Sequence, residues 1–398
     1  MKKELFDKLY SNHTPVAIPE NIIDKIKPRK ISQGFENIQN IPLDKAAEDI
    51  EQFFNILKYC YSGYEYLENT VDASAVKADI INRLPQNTST AELIELLYES
   101  LSEYINDTHF SFNCDNGVCF AKEYIAYFSN LTLEEDGGKY SVIKTGGEVD
   151  IGYLFTHDSV KDYLFETLPA KSGKRQYLLG VYSPVITKNI TVAGFNLPLH
   201  SCKTDNFTPC DDDIKTEYIK NIPVVYHTTY GRYEVKHSPD DYKASGLGLK
   251  DSPCLVWSLL SNGGGDSTYP MHFMLGLNNN AVWEVDLAVI RNAAFDSSLP
   301  PVKKYDIYNI PKPDMTKSEY NGRLFVLQNK VVASSGEAAI MYAQNVKNVC
   351  FVGSATAGCG QFGDNVTYEL DNSKIRFRMG YKVFNMDGFD EGKGLLPD

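Results

Sequence analysis

The sequence is short of basic residues and of long apolar runs. Its 39 Lys and Arg residues stand against 52 Asp and Glu residues, which gives a formal net charge of −13 at pH 7. A surface with this charge repels phosphate backbones and anionic lipid headgroups, so binding to nucleic acid is disfavoured. No stretch approaches the roughly 18 to 20 consecutive apolar residues that a membrane-spanning helix needs. We therefore expect neither a nucleic-acid partner nor a membrane span.

The first residues of the chain also lack the features of a signal peptide. The opening MKKELFDKLYSNH is charged, and no apolar core follows it. Two locations are compatible with this start. The chain is expected to be either cytoplasmic or exported with its leader removed.

Cysteine is scarce. Eight cysteines in 398 residues are too few for a disulfide scaffold. Cys114 with Cys119, and Cys202 with Cys210, lie close enough in sequence to form bridges in an oxidising compartment. Neither pair has the two-residue gap of a zinc knuckle. We expect no metal site.

Several common motifs are missing from the sequence. It contains no Walker loop, no H-E-x-x-H and no G-x-S-x-G, which removes the P-loop, zincin and common α/β-hydrolase interpretations. One G-x-G-x-x-G occurs at 358–363, but the following Asn365–Leu370 alternates as a strand does. A dinucleotide would need a helix N-terminus there to bind its pyrophosphate. The sequence therefore predicts no nucleotide cofactor.

At about 150 residues per domain, the length of 398 residues predicts two to three domains, and a hydrophobic content of 43% is enough for packed cores. Residues 1–112 have helical periodicity, with a capping box predicted at Ser89–Glu92. Residues 113–240 consist of short strand-like runs between glycine turns, and residues 241–398 alternate strand and helix. This division predicts an N-terminal helical region, a β-rich module and an α/β core.

Ser334 lies where a strand and a short turn lead into an Ala-rich helix. A hydroxyl at a helix N-terminus is close to free backbone N–H groups that can bind the oxyanion of a tetrahedral intermediate. The position therefore suits a nucleophile. The alternative is an ordinary capping box formed by Ser334 and Glu337, which is favoured when the segment is taken alone.

Two other positions have a functional and a structural interpretation. The stretch 261–266 ends a very apolar strand with three glycines, which indicates either a ligand-binding loop or a flexible turn. His109 follows Asp107 and Thr108 at a predicted helix-to-strand corner. Taken alone, it is more typical of a structural histidine than of a catalytic base.

The sequence contains five characteristic blocks, which are, in chain order, Asn106–His109, Ser261–Gly265, Ala333–Glu337, Val352–Gly358 and Glu391–Asp398. Taken together in this order, they resemble the tail-specific, or C-terminal processing, serine peptidases and the tricorn core protease. The first block resembles the family's Asp-x-His corner, the second its Asn-x-Gly-Gly loop, the third its Ser-x-x-Glu turn and the last its closing Glu-Gly-x-Gly-x-x-Pro-Asp.

The resemblance implies a ClpP/crotonase-like catalytic core with a PDZ-like or inserted middle module. Where the processing-protease branch has its catalytic lysine, this chain has Cys359, so the resemblance is closer to the tricorn branch. That branch implies a serine nucleophile, a histidine base, a glutamate that acts with a hydroxyl residue, and an oxyanion hole of two backbone N–H groups. The matching positions are, in that order, Ser334, His109, Glu391 with Thr108, and Gly264 with Ser335.

The implied activity is cleavage of peptides or unfolded protein chains through an acyl-enzyme, without a metal or cofactor. A free serine hydroxyl is a weak nucleophile at neutral pH, so Ser334 needs a base such as the imidazole of His109. The absent lysine leaves a second possibility open, a non-catalytic ligand- or peptide-binding protein on the same scaffold. The resembled superfamily also includes retinoid-binding members.

Overall fold

The structure is a computed structural model, in which helices and sheets are mixed. It describes residues 3–10, 18–26, 37–113, 118–119, 125–166, 174–183, 186–201, 212–231, 233–281, 288–291, 306–308, 319–386, 389 and 391–398.

The chain divides into two compact units. The larger unit joins Met1–Ala121 to Asn206–Asp398, and the smaller unit is Lys122–Asp205. None of the helices within the described ranges combines the length and apolar character that a membrane crossing requires. Of the cysteines in the two predicted bridges, Cys114, Cys202 and Cys210 lie outside the described residues, as does the side chain of Cys119.

The N-terminal part of the larger unit is helical, as its periodicity predicts. The capping box at the start of the last of these helices is confirmed, because the Ser89 N–H donates to Glu92 and the Glu92 N–H donates to Ser89 Oγ. The elements are α1 (Lys3–Tyr10), α2 (Glu20–Ile26), β1 (Ile41–Pro42), α3 (Leu43–Cys60), α4 (Tyr64–Thr70), α5 (Ala73–Arg83), β2 (Asn87–Thr88) and α6 (Thr90–Leu101).

These helices pack on an antiparallel sheet through aromatic side chains. The rings of Phe53 in α3 and Phe377 are 4.8 Å apart, and Phe110 and Phe112 complete the buried cluster. Because Phe110 is fully buried, it fixes the corner that carries residues 107–109. The strands are β3 (Ser111–Asn113), β4 (Val118–Cys119), β16 (Ala288–Ile290), β17 (Asp306–Tyr308), β20 (Phe362–Glu369) and β21 (Arg376–Phe384), in the order β17-β16-β21-β3-β4 with β20 also on β21.

A second sheet of the larger unit carries the α/β alternation predicted for the C-terminal part of the chain. Its order is β13-β14-β15-β18-β19; the first pair is antiparallel and the others are parallel. The carboxyl ends of β15 and β18 therefore lie side by side, which is where ligands bind in open α/β sheets. The elements are β13 (Ile214–Ile219), β14 (Ile222–His227), α8 (Pro239–Leu249), β15 (Cys254–Ser258), α9 (Thr268–Asn278), β18 (Arg323–Gln328), α10 (Ser335–Ala343) and β19 (Val349–Gly353).

The smaller unit is rich in β-structure. Its main sheet has the order β7-β6-β5-β9-β8, with β12 also on β5, and it encloses a core of its own. Its elements are β5 (Ile125–Asp136), β6 (Lys139–Lys144), β7 (Leu154–Thr156), α7 (His157–Val160), a 3₁₀ turn (Lys161–Tyr163), β8 (Leu164–Glu166), β9 (Gln176–Ser183), β10 (Asn189–Val192), β11 (Phe195–Pro198) and β12 (His200–Ser201).

The bounds of this unit differ from those of the predicted module at 113–240. The hairpin of β13 and β14 belongs to the larger unit, because Val224–Tyr226 pair in parallel with β15. The regions 1–112 and 241–398 also share one compact unit, since β3 pairs with β21.

Candidate active site

Two turns meet at the carboxyl ends of β15 and β18. The first is the glycine-rich stretch 261–266, and the second carries Ser334 into α10. The Ala333 N–H donates to the Asn262 carbonyl oxygen at 3.2 Å, which joins the two turns. A β-carbon placed on Gly264 would lie 2.8 Å from Ser334 Cβ, so only glycine allows this approach. The glycine-rich stretch is thus packed against the serine.

Ser334 has a strained backbone. Its φ of 51° and ψ of −117° lie in a region that residues with a side chain seldom occupy. Such strain costs of order 1–3 kcal/mol and is concentrated at functional sites. Ser334 and Glu337 face each other in the capping-box arrangement that the sequence allows, and the Glu337 carboxylate accepts the Ser334 N–H at 3.1 Å. The Glu337 N–H donates to the Ser334 carbonyl oxygen at 2.8 Å, so the Ser334 hydroxyl has no hydrogen bond to any described residue. The turn thus holds the serine in place through its backbone and leaves its hydroxyl available.

The neighbouring serine is engaged in the structure. Ser335 Oγ donates to the Gly265 carbonyl oxygen at 2.7 Å and lies 2.8 Å from Ser267 Oγ. Its N–H belongs to the first turn of α10, where backbone donors have no partner within the helix. Ser335 therefore offers a backbone donor, and Ser334 offers the hydroxyl.

His109 follows α6 at the corner that the sequence predicts. Its N–H donates to Asp107 Oδ1 at 2.8 Å, and its ring Nδ1 lies 3.8 Å from the same oxygen. Burial, with a smaller effect from the charge of Arg378, lowers the pKa of His109 to about 4. The imidazole is therefore neutral at pH 7, which is the form that can accept a proton.

Glu391 and Thr108 are bonded to each other, although 283 residues separate them. Thr108 Oγ1 donates a short hydrogen bond to Glu391 Oε1, and the Thr108 N–H donates to the same oxygen at 3.2 Å. The Gln361 N–H donates to Glu391 Oε2 at 2.9 Å. Burial, and next the nearby Asp107 carboxylate, raise the pKa of Glu391 well above its usual range.

Asp107 was not among the predicted site residues. Its side chain is fully buried, and its second oxygen accepts the Gly380 N–H at 3.3 Å. Burial raises the pKa of Asp107 to about 7. The nearest side-chain oxygen or ring-nitrogen atoms of Asp107, His109 and Glu391 all lie within 4.8 Å of one another. The Asp-x-His spacing could have pointed to Asp107.

Glu337 has a larger role than the capping partner that the sequence predicts. Its buried carboxylate accepts hydrogen bonds from Thr356 Oγ1 at 2.5 Å, from the Gly358 N–H at 2.9 Å and from the Cys359 N–H at 2.6 Å, besides the Ser334 N–H. Burial raises its pKa to about 7. Glu337 thus ties the serine turn to the strand exit at 356–359.

Gly264 does not present the free donor that the sequence predicts. Its N–H donates to Asn262 Oδ1 at 2.9 Å, while Asn262 Nδ2 donates to the His227 carbonyl oxygen at 3.2 Å. Asn262 is fully buried, so this arrangement is held within the core. Because Gly264 has no side chain, its backbone can lie close to Ser334. Its N–H could bind an oxyanion only after its hydrogen bond to Asn262 Oδ1 is broken.

Three of the predicted site residues share one cavity. Its volume is about 1130 Å³, and Ser334, Ser335 and His109 line it together with Cys359. Thr108 and Glu391 are not among its lining residues; Thr108 precedes His109 in the chain and is bonded to Glu391, whose carboxyl group lies near the His109 ring. An unbonded serine hydroxyl, a neutral imidazole and buried carboxylates beside it form a set capable of nucleophilic acyl transfer.

No family model matches the chain, and no curated protein matches it. Among solved structures it is similar to a candidate peptidase from Parabacteroides merdae ATCC 43184, at 12% identity over 90% of this chain and 89% of the other, with a TM-score of 0.49. It is similar to mature CPAF at 11% identity, over 89% of this chain and 92% of the other, with a TM-score of 0.49. It is also similar to the photosystem II D1 C-terminal processing protease at 13% identity, over 89% of this chain and 92% of the other, with a TM-score of 0.41. These neighbours are peptidases by name, but such distant likenesses carry no weight for function, which we infer from the site's geometry.

Proposed function

We propose that this protein is a serine-type peptidase that cleaves peptides or unfolded protein chains through an acyl-enzyme. The observation that carries the proposal is the strained Ser334, whose unbonded hydroxyl shares a cavity with the neutral imidazole of His109. Strain at a non-glycine residue in a strand-to-helix turn is a feature of catalytic nucleophiles.

The chemistry follows from the orientation of the imidazole. Because Nδ1 of His109 lies 3.8 Å from Asp107, we assign Nε2 as the nitrogen that would act on Ser334 once the two side chains come within hydrogen-bond reach. Nε2 takes the hydroxyl proton as Ser334 Oγ attacks the peptide carbonyl carbon, and then passes that proton to the departing amine. A water molecule attacks the resulting ester in the same way, which releases the carboxylic acid and restores the serine.

Asp107 and Glu391 would stabilise the imidazolium that forms during each step in the state in which their carboxyl groups are ionised, which burial disfavours by raising the pKa of both. Glu391 acts through Thr108, as the tricorn-like assignment implies, and Asp107 lies directly beside Nδ1. Cys359 occupies the position of the lysine in the other branch. Burial raises the pKa of its thiol well above the usual range, so it is neutral and His109 remains the base.

The Ser335 N–H would be the first oxyanion donor, since it lies at the N-terminus of α10. The Gly264 N–H would be the second, after the peptide turns away from Asn262. We further propose that the sheet β13-β14-β15-β18-β19 belongs to a ClpP/crotonase-like core. We also propose that Lys122–Asp205 is a PDZ-like or inserted peptide-binding module, and its β-rich sheet is compatible with that role.

The occupied Gly264 N–H also favours a second candidate, a ligand- or peptide-binding protein on the same scaffold. Covalent labelling separates the two. A fluorophosphonate probe should modify the wild-type chain at Ser334, located by peptide mass mapping, and should fail with Ser334→Ala and with His109→Gln. Ser335→Ala should still be labelled. Unlabelled wild-type protein with a cooperative thermal transition would reject the peptidase and favour the binding protein.

A further inference from the structure

One side of the cavity is formed by the antiparallel pair of β20 and β21. Six consecutive residues of β20, Phe362–Thr367, line the cavity together with Arg378 and Lys382 of β21. Ser334 and His109 line the same cavity. A peptide that reaches the serine would therefore run close to this strand.

β20 has a free edge. Among the strands that the structure describes, it pairs with β21 alone. An edge strand presents unpaired backbone N–H and C=O groups, and an extended peptide can bind there as an additional strand. The geometry of the edge therefore suits a peptide backbone.

A side chain of the same strand is also without a partner. Asn365 Oδ1 is buried and accepts no hydrogen bond within the described part of the chain. A buried acceptor that is left unsatisfied is unfavourable, so polar atoms of this kind normally find a donor. A backbone N–H of a bound peptide would supply one.

Arg378 lies directly opposite Thr367 in the register of this pair. Arg378 is exposed, and its guanidinium makes no ion pair or hydrogen bond with any residue that the structure describes. The neighbouring cations differ, because Arg376 is paired with Glu369 at 2.7 Å and Lys382 is paired with Asp364. Arg378 is therefore a cation of the cavity wall that is available for a ligand.

The charge of Arg378 acts on the reacting groups. After the larger effect of burial, it lowers the pKa of His109 further, and it offsets part of the rise that burial causes in the pKa of Asp107. A protein of net charge −13 repels anions over most of its surface, so a guanidinium without a partner provides a local site for a carboxylate. Arginine binds carboxylates through two parallel N–H donors, which gives orientation as well as affinity.

We propose that the substrate binds as an extended strand along the free edge of β20 and that Arg378 binds a carboxylate of that strand. The proposal rests on the proposed peptidase function and adds a substrate class, peptides that carry a carboxylate within reach of Arg378. That carboxylate belongs either to an acidic side chain or to the C-terminus of the peptide.

Binding to the full-length Ser334→Ala protein tests this without turnover. Fluorescent peptides that contain Glu or Gln at each position in turn, with free or amidated C-termini, are compared by anisotropy. We expect the carboxylate-bearing peptides to bind about tenfold more tightly, as for a hydrogen-bonded charged pair. A preference for Glu over Gln in amidated peptides identifies the side chain, and a preference for free acid over amide identifies the terminus.

Variants of Arg378 in the same background locate the contact. Arg378→Gln should remove the preference, Arg378→Lys should keep part of it, and Arg378→Glu should favour peptides with Lys in place of Glu. Arg323→Gln is the matched control, because Arg323 is exposed on β18, lies against Phe325 and does not line the cavity. N-methylation of alternate peptide nitrogens should weaken binding if the backbone pairs with β20.

Equal binding of carboxylate and amide peptides to the Ser334→Ala protein would overturn the proposal, and so would a preference that survives Arg378→Gln. The comparison between peptides needs no variant of Arg378, so a misfolded variant does not affect it. Fluorophosphonate labelling of the wild-type chain is independent of both results. A labelled Ser334 without carboxylate preference refutes the substrate class alone, whereas an unlabelled Ser334 refutes the peptidase.

Discussion

The adjacent Ser334 and Ser335 lie at the N-terminus of α10, and the different roles that we propose for them can be tested directly. Ser334→Ala should abolish peptide hydrolysis with little loss of stability, because the hydroxyl makes no capping hydrogen bond. Ser335→Ala should keep activity within a few-fold, because the backbone N–H remains. It should cost about 0.5–1.5 kcal/mol for each hydrogen bond lost to Gly265 and Ser267. Urea denaturation and peptide assays measure the two effects, and full activity of Ser334→Ala would contradict the assignment.

We expect Asp107 to make the site sensitive to pH. With a pKa of about 7 for Asp107 and about 4 for His109, both groups are neutral between these values, and Asp107 becomes charged as the pH rises through 7. A charged Asp107 stabilises the imidazolium, so kcat/KM should rise through an apparent pKa near 7. The interacting groups that face this pair are Glu391 and Arg378.

In Asp107→Asn this rise should disappear and kcat should fall. Stability gives a second readout. Because the pKa of Asp107 is raised above its usual 3.8, the folded chain holds a proton that the unfolded chain releases, and stability is lost as the pH rises from about 4 to 7. Asp107→Asn should lose less stability over that interval than the wild type. Identical pH profiles for the two proteins would contradict the role.

The residues of the site could be predicted only in part. Local patterns give the capping box at Ser89 and the turn before α10, and the ordered blocks suggest that Glu391 acts with Thr108. The Gly264 N–H donates to Asn262 Oδ1 two residues before it, as in a local Asx turn, but the sequence does not show that the amide is fixed there by the His227 carbonyl on another strand. Such orientations depend on packing between segments that are distant in sequence.

At the scale of the elements, the glycine-rich turn at 261–266 packs closely against the turn that carries Ser334. Substitutions at two of its glycines test whether this packing positions the serine. A β-carbon at Gly264 would lie 2.6 Å from the Ala333 carbonyl oxygen and 2.8 Å from Ser334 Cβ, and its φ is 99°. A β-carbon at Gly263 would meet nothing within 4 Å. Gly264→Ala should therefore displace Ser334 and reduce kcat/KM by at least about a hundredfold, as misplaced reacting groups do.

Gly263→Ala is the control and should retain most activity. Fluorophosphonate labelling rates and thermal melts of the two variants provide the measurement. If Gly264→Ala were labelled as fast as Gly263→Ala, the close packing of the two turns would have no part in positioning the serine.

The β13–β14 hairpin shows why the predicted module boundary differs from the compact unit. Its residues have the same short strand pattern as the module before it, so the sequence groups them together. Its place is decided by the parallel pairing of β14 with β15, which joins segments about thirty residues apart. Parallel pairing leaves no local turn signal in the sequence.

At the scale of the whole molecule, the two compact units have separate cores, which predicts separate unfolding. Scanning calorimetry should resolve two transitions, and active-site titration against temperature should follow the transition of the larger unit. The predicted role of the smaller unit in binding peptides is tested by replacing Lys122–Asp205 with a Gly-Ser linker.

We expect this replacement to preserve fluorophosphonate labelling and to weaken the binding of long unfolded chains more than that of short peptides. Unchanged binding of both would reject a role in substrate capture. Loss of labelling together with loss of the remaining calorimetric transition would show that the larger unit depends on the smaller one for its folding.

The bond between Thr108 and Glu391, 283 residues apart, has a consequence for the timing of biosynthesis. At about 5–20 residues per second, a ribosome needs about 14 to 57 s to add the residues between them. The corner that carries His109 also waits for this synthesis, because Phe110 packs against Phe377 and β3 pairs with β21. The complete arrangement of Thr108, His109 and Glu391 can therefore form only after the last part of the chain has emerged.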